Sequence, residues 1–175
     1  MKKINMLTTL KHIFENVIWH EMLEYEKALK LQQDLTAQGK VGWLVFSCPP
    51  IITIGRRGKT EDILVSQQGL SDIPVINVDR GGQVTYHGPE QILGFPIGTL
   101  EQHIGDSRAA KKFVNLVVER VKKFLVLEFK KQNRVIDFHT PSNCAGIWVI
   151  ENGVRRKIVS IGMRFSRIGI SHGFA

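Results

Sequence analysis

The chain has 175 residues, 43% hydrophobic, 23% charged and 8% aromatic, proportions that fit one folded domain and exclude a disordered or collagen-like polymer. With 24 Lys and Arg against 16 Asp and Glu the net charge is +8, so the surface field favours anionic partners. No apolar run approaches the roughly 20 residues of a membrane-spanning helix, and two cysteines, Cys48 and Cys144, without a CxxC pair or zinc-type spacing, fit a reducing compartment.

In chain order, the Met1-Lys2-Lys3 start is basic, but Asn5, Thr8 and Thr9 interrupt the apolar residues behind it and Lys11 ends them, so no secretory leader is expected. His20 to Gln38 reads as a packing helix, with Leu23, Leu31 and Leu35 on the face of Lys27 and Gly39 as its stop. Val41 to Phe46 and Ile51 to Ile54 are predicted as two strands joined by a Pro49-Pro50 turn, the second ending at Gly55. Glu61 to Leu64 reads as a helical turn and Pro74 to Val78 as a buried strand.

A second helix is predicted over Ser107 to Phe124, because Phe113, Leu116, Val117, Val121 and Phe124 form one apolar stripe and Asp106 can cap it. Lys111-Lys112 and Lys122-Lys123 lie eleven residues apart, hence on one side of that helix, most simply a solvated basic ridge. Gly146 to Ile150 and Lys157 to Phe165 read as strands of a hairpin turning at Asn152-Gly153. Strands and helices alternate irregularly, which predicts an α+β fold, a mixed sheet with flanking helices.

Three stretches carry chemistry. Between Asp79 and Gln91, Arg, Gly, Tyr and His crowd together: Gly81 and Gly82 admit a close approach by a ligand or another backbone, Arg80 can orient a carboxylate or phosphate, and His87 can donate a hydrogen bond or shuttle a proton. A glycine-rich hairpin with a satisfied histidine is an equally available reading, and neither a Walker loop nor GxGxxG is present. In Arg155 to Gly162, strand alternation would put Lys157 on one side with Val159 and Ile161, partly desolvated, and Ile158 with Ser160 on the other. An edge-strand lysine that discourages aggregation is the blander alternative. The third stretch, Ser171 to Ala175, ends the sequence without a cap or polar tail, as a cut strand would.

Together Arg80-Gly81-Gly82-Gln83-Val84-Thr85-Tyr86-His87-Gly88-Pro89, Gly146-Ile147-Trp148-Val149, Lys157-Ile158 through Ile161-Gly162, and His172-Gly173-Phe174-Ala175 resemble the lipoyl(octanoyl) transferase family. Pro50, Gly55 and Ile73-Pro74-Val75 support the match, which runs from about Val41 to the end. The resemblance implies a fold similar to the catalytic domain of biotin and lipoate protein ligases, here a single domain over residues 1–175 with its C-terminal part missing. It implies a cytoplasmic acyltransferase that moves an octanoyl group from octanoyl-acyl carrier protein to a lysine of lipoyl domains, those of 2-oxoacid dehydrogenases and of the glycine cleavage H protein. No cofactor, metal, nucleic acid or membrane span is expected.

The resemblance maps the acyl pocket onto Arg80, Gly81, Gly82, Gln83, Val84, Thr85, Tyr86, His87, Ser160, Ile161, Gly162, Gly173, Phe174 and Ala175. Lys157 matches the family lysine that lowers the pKa of a nucleophilic cysteine. That cysteine lies beyond the His-Gly-Phe-Ala segment in the family, whereas this sequence ends at Ala175, so a noncatalytic binder of acyl carrier protein or lipoyl domains is the alternative. Cys144 precedes the Gly146 strand and does not hold the family position, and Cys48 beside Pro49 is a still poorer substitute. Glu90 stands where the family has Gly; if the position requires φ above zero, Glu costs on the order of 1 kcal/mol.

Overall fold

The computed structural model describes residues 2–64, 72–141 and 146–175. Its elements are α1 (Lys2–Ile13), β1 (Val17–His20), α2 (Tyr25–Ala37), β2 (Gly42–Phe46), β3 (Ile51–Ile54), a 3-10 turn (Thr60–Asp62), β4 (Val75–Asn77), β5 (Val84–His87), β6 (Leu93–Ile97), α3 (Leu100–Ile104), α4 (Ala110–Lys130), β7 (Phe138–His139), β8 (Gly146–Glu151), β9 (Val154–Ser166) and β10 (Gly169–Phe174). Among these residues the strands form a seven-stranded sheet, β1-β2-β6-β10-β9-β8-β7, and a three-stranded one, β4-β3-β5. The α+β expectation holds: β1 runs parallel to β2 while the other pairs of the large sheet are antiparallel.

Helices cover both faces of the large sheet, and the alternation of side chains along β2 shows how. Trp43 and Val45 join Phe14, Phe113, Val117 and Val121 in the core under α1 and α4, while Leu44 and Phe46 join Tyr25, Ala28 and Phe95 under α2. All five residues of β2 are buried because both of its faces are covered, which is why the segment reads as a continuous apolar run. No helix of the described residues is long and apolar enough to cross a membrane.

Several expectations are corrected. The first helix starts at Tyr25, not His20, because Val17–His20 is drawn into the sheet by parallel pairing with β2, a tertiary contact that outweighs local propensity. Its buried stripe is Tyr25, Ala28 and Gln32; Leu31 and Leu35 flank it, and Lys27 is exposed. β2 and β3 do not pair across the Pro49-Pro50 segment but enter different sheets. β4 is an exposed edge strand, with Val75 42% accessible, instead of a buried one.

The second helix starts at Ala110, not Ser107, and runs to Lys130, well beyond Phe124. Asp106 accepts a bond from the Arg108 N–H in the preceding turn and is not its cap. α1 and β1 carried no sequence signal that singled them out; α3 was missed although Thr99 and Gln102 form a capping box and Gly105, at φ +67°, stops the helix. The Asn152-Gly153 turn is as expected, both residues at positive φ (51° and 76°), the backbone of a two-residue hairpin turn.

Candidate active site

The small sheet presents the Arg80–Gln83 loop to the centre of the large one. Arg80 is 5% accessible, and its guanidinium donates to Thr53 Oγ1 from Nε (3.2 Å) and Nη2 (2.7 Å) and to the carbonyls of Thr53, Gly81 and Gln83 (2.9 Å each). These bonds bind the loop to β3, so Arg80 builds the wall of the site in place of reaching out to an anion. It has no carboxylate partner among the described residues, and burial lowers its pKa from the usual arginine value.

The close approach expected at the glycines is made by backbone. Gly81 N–H donates to Met163 O (3.3 Å), and a Cβ on Gly162 would lie 2.6 Å from Gly81 O. Gly94 and Gly173 lie together in the neighbouring pair of strands, with the Phe174 ring resting on Gly94. Ser160 and Ala175 exchange both backbone bonds (2.8 and 2.9 Å), which carries the β9–β10 ladder one residue past Phe174.

Where these elements meet lies a cavity of about 280 Å³. It is bordered by Arg80, Gly81, Gly82, Gln83, Val84, Thr85, His87, Lys157, Ser160, Ile161, Gly162, Gly173, Phe174 and Ala175, the sequence-predicted set apart from Tyr86. Tyr86 is 46% accessible and faces a second cavity of about 270 Å³, which also touches Glu90, the apolar residues Leu10, Phe124 and Leu125, and the shared residues Lys157, Ser160 and Phe174.

Lys157 reaches both cavities through a β-bulge. Register is regular from Gly146↔Ser160 to Ile147↔Val159 and then jumps to Trp148↔Lys157, leaving Ile158 as the extra residue. Without the extra residue in the count, alternation would group Lys157 with buried Val159 and Ile161; the bulge turns it instead to the side of Trp148, Ser160 and Gly162. Its Nζ sits 4.8 Å from the centre of the Trp148 ring, a cation–π contact, and the side chain is exposed rather than partly desolvated.

Arg57, Arg80 and Lys157 border the first cavity and no Asp or Glu does, so its field is positive. Its histidine is nevertheless neutral: burial, reinforced by the Arg80 charge, pushes His87 down to about 3. His172 behind it is pushed down to about 4 for the same reasons and is hydrogen-bonded to the Tyr25 hydroxyl at 2.9 Å. Burial holds that phenol well above its ordinary pKa.

Tyr25, Thr53, Arg57 and Phe95 are among the residues that sequence reasoning missed here, together with the apolar Val114, Met163 and Phe165. Thr53 had one usable signal, a hydroxyl inside the apolar Ile51–Ile54 run, where a buried polar group needs partners. The Cys48 thiol lies in the core beneath α2, and burial raises it to about 11. Cys144 lies outside the described residues.

Comparison with known proteins agrees with this geometry. Curated relatives include the octanoyltransferase of Caldicellulosiruptor bescii, 39% identical over 168 residues, covering 91% of this chain and 68% of that protein. The octanoyltransferase of Parabacteroides distasonis is 31% identical over 172 residues, covering 94% of this chain and 74% of that one.

Among solved structures, the bipartite lipoate protein ligase of Thermoplasma acidophilum superposes with a TM-score of 0.59 at 11% identity, covering 90% of this chain and 58% of the other. A second T. acidophilum structure, solved with bound lipoic acid, gives a TM-score of 0.60 at 12% identity and covers 90% and 65%. The chain thus spans about two thirds of the length of the curated relatives it matches. Residues 20–175 match the family model for the lipoyl protein ligase A/B catalytic domain, and with the Arg80 loop, the bulged β9 and the Gly173 strand converging on one cavity, the chain belongs to that family.

Proposed function

We propose that this chain transfers an octanoyl group from octanoyl-acyl carrier protein to a lysine of lipoyl domains, including those of 2-oxoacid dehydrogenases and the glycine cleavage H protein. The observation that carries the reading is the β-bulge at Ile158, which brings Lys157 to the rim of the cavity lined by the Arg80–His87 loop and the Gly173–Ala175 strand end. The catalytic reading assigns Lys157 to activation of a cysteine, and the cavity residues Arg80, Gly81, Gly82, Gln83, Val84, Thr85, His87, Ser160, Ile161, Gly162, Gly173, Phe174 and Ala175 to the acyl group. Tyr86 belongs to the second cavity's side of the same loop.

The chemistry balances in two thioester steps. A cysteine thiolate, favoured by a neighbouring ammonium, attacks the carrier thioester; the acyl–sulfur bond to the carrier breaks as the acyl-enzyme bond forms, and the carrier leaves as its thiolate, which takes up the proton that the amine gives up in the second step. The lipoyl-domain lysine amine then attacks the acyl-enzyme, forms the amide, and gives up a proton as the enzyme thiolate is released. The net charge of +8 supports steering toward acidic carrier and lipoyl domains. A cytoplasmic setting accords with this chemistry and with the sparse cysteine usage.

A second reading, a binding protein without turnover, is favoured by one observation: among the described residues the only cysteine is Cys48, buried away from both cavities. Incubating the protein with octanoyl-acyl carrier protein and a lipoyl domain, and weighing both products, separates the two. Octanoylated lipoyl domain, reduced 100-fold or more by Lys157→Ala, supports the transferase; saturable carrier binding with neither product acylated supports the binder.

A further inference from the structure

The cavity histidine has one ring nitrogen accounted for and one not. His87 is 4% accessible; its Nε2 lies 3.1 Å from Thr53 Oγ1, and its Nδ1 is buried with no partner among the described residues. A neutral imidazole carries one N–H, so the state of Nε2 decides what Nδ1 can do.

The hydroxyl of Thr53 settles Nε2 by counting. It has two lone pairs and one proton. Arg80 Nε, whose one N–H has no other acceptor among the described residues, donates to it at 3.2 Å, and Nη2 makes its shortest contact to it at 2.7 Å, with its second N–H shared by the Thr53 and Gln83 carbonyls at 2.9 Å; a guanidinium can only donate, so both lone pairs are filled. What remains is the Thr53 proton. Directed at Thr85 O, 3.4 Å away, it would force Oγ1 to accept a third bond from an Nε2–H; directed at His87 Nε2, at 3.1 Å, it satisfies every group. The tautomer that results carries its proton on Nδ1. The Tyr25 ring packs against the imidazole, with centroids 5.0 Å apart.

We infer that Thr53 is a positioning residue that fixes His87 as the Nδ1–H tautomer, which leaves an unpartnered neutral N–H, suited to a carbonyl oxygen, in the wall of the cavity. That donor would stabilise charge developing on the oxygen of a thioester under attack without placing another cation beside Arg80 and Lys157. The identification of the oxygen as that of an octanoyl thioester rests on the function proposed above; the tautomer and its dependence on Thr53 do not.

The test is the nitrogen spectrum of the imidazoles in the ligand-free protein, labelled with 15N-histidine, near pH 7.5, with His87 assigned by its loss in His87→Gln. The expected pattern is a protonated Nδ1 and an unprotonated Nε2, retained in Thr53→Ser and lost or mixed in Thr53→Val. A wild-type spectrum with the proton on Nε2 overturns the inference, as does a folded Thr53→Val that keeps Nδ1 protonated; should Thr53→Val not fold, the wild-type spectrum alone decides. If the tautomer stands while the transfer assay shows no octanoylation, the proposed function has failed and this inference has not. Where transfer is observed, kcat should fall at least 10-fold in Thr53→Val with KM little changed, and Thr53→Ser should restore it to within a few-fold.

Discussion

The side-chain amide of Gln32 pairs with both backbone groups of His172, its Oε1 accepting from the His172 N–H at 2.9 Å and its Nε2 donating to the His172 carbonyl at 3.1 Å. The same Nε2 donates to Pro96 O at 2.6 Å, so one buried glutamine on α2 serves β10 and β6 together. This explains two irregularities at once: a proline in an interior strand, and a buried histidine at φ +60° inside another.

Replacing Gln32 with Leu leaves one N–H and two carbonyls in the core without their partner. The expected cost is about 2–4 kcal/mol of unfolding free energy, read as a lower urea midpoint with an unchanged slope. A loss below about 0.5 kcal/mol would mean that backbone relaxation re-pairs these groups.

Glu90 has φ +71°, the left-handed region, so the conformation anticipated for this glycine-type position is present and a side chain occupies it. Glu90→Gly relieves that strain but gives the unfolded chain more freedom. The expected net gain is about 0.5–1 kcal/mol, a rise in melting temperature of roughly 1–4 °C. An unchanged or lower melting temperature would show that Glu90 makes a compensating contact.

Stability should fall on mild acidification. His87 and His172 have folded-state values of about 3 and 4, below the ordinary histidine value of about 6.5. Between those limits the unfolded chain binds more protons than the folded one, so stability is complete above pH 6.5 and is lost as pH drops toward 4. Each histidine contributes a slope of up to about 1.4 kcal/mol per pH unit. Urea midpoints measured from pH 7.5 to 4.5 should be flat at first and then decline; a level profile would mean that both rings can charge without unfolding.

Much of the site was legible in the sequence because its parts are local. The Arg80–His87 run, the Gly162 position and the Asn152-Gly153 turn each announce a backbone requirement within a few residues. What stayed hidden depends on partners far along the chain. Thr53 and Arg80 are 27 residues apart, and Tyr25 and His172 are 147 apart, and no periodicity links such pairs. The facing of Lys157 was misread for a specific reason: strict alternation assumes one residue opposite one residue, and the bulge at Ile158 breaks that count. Strand β1 was missed because its reason for being extended is β2, which comes later in the chain.

β9 divides its labour residue by residue. Val159, Ile161 and Met163 are buried in the core, Ile161 and Met163 also touching the cavity, while the alternate positions Ser160 and Gly162 border the cavity without joining the core, with Lys157 brought to their side. Tolerance to mutation along this strand should therefore be striped with a period of two: Val159, Ile161 and Met163 sensitive through abundance, Lys157 and Ser160 sensitive at normal abundance, and Gly162 sensitive through abundance because a Cβ there meets the Gly81 carbonyl. Evolution can retune what the cavity accepts by moving along one stripe, but it cannot slide the strand by a single residue without exchanging the two.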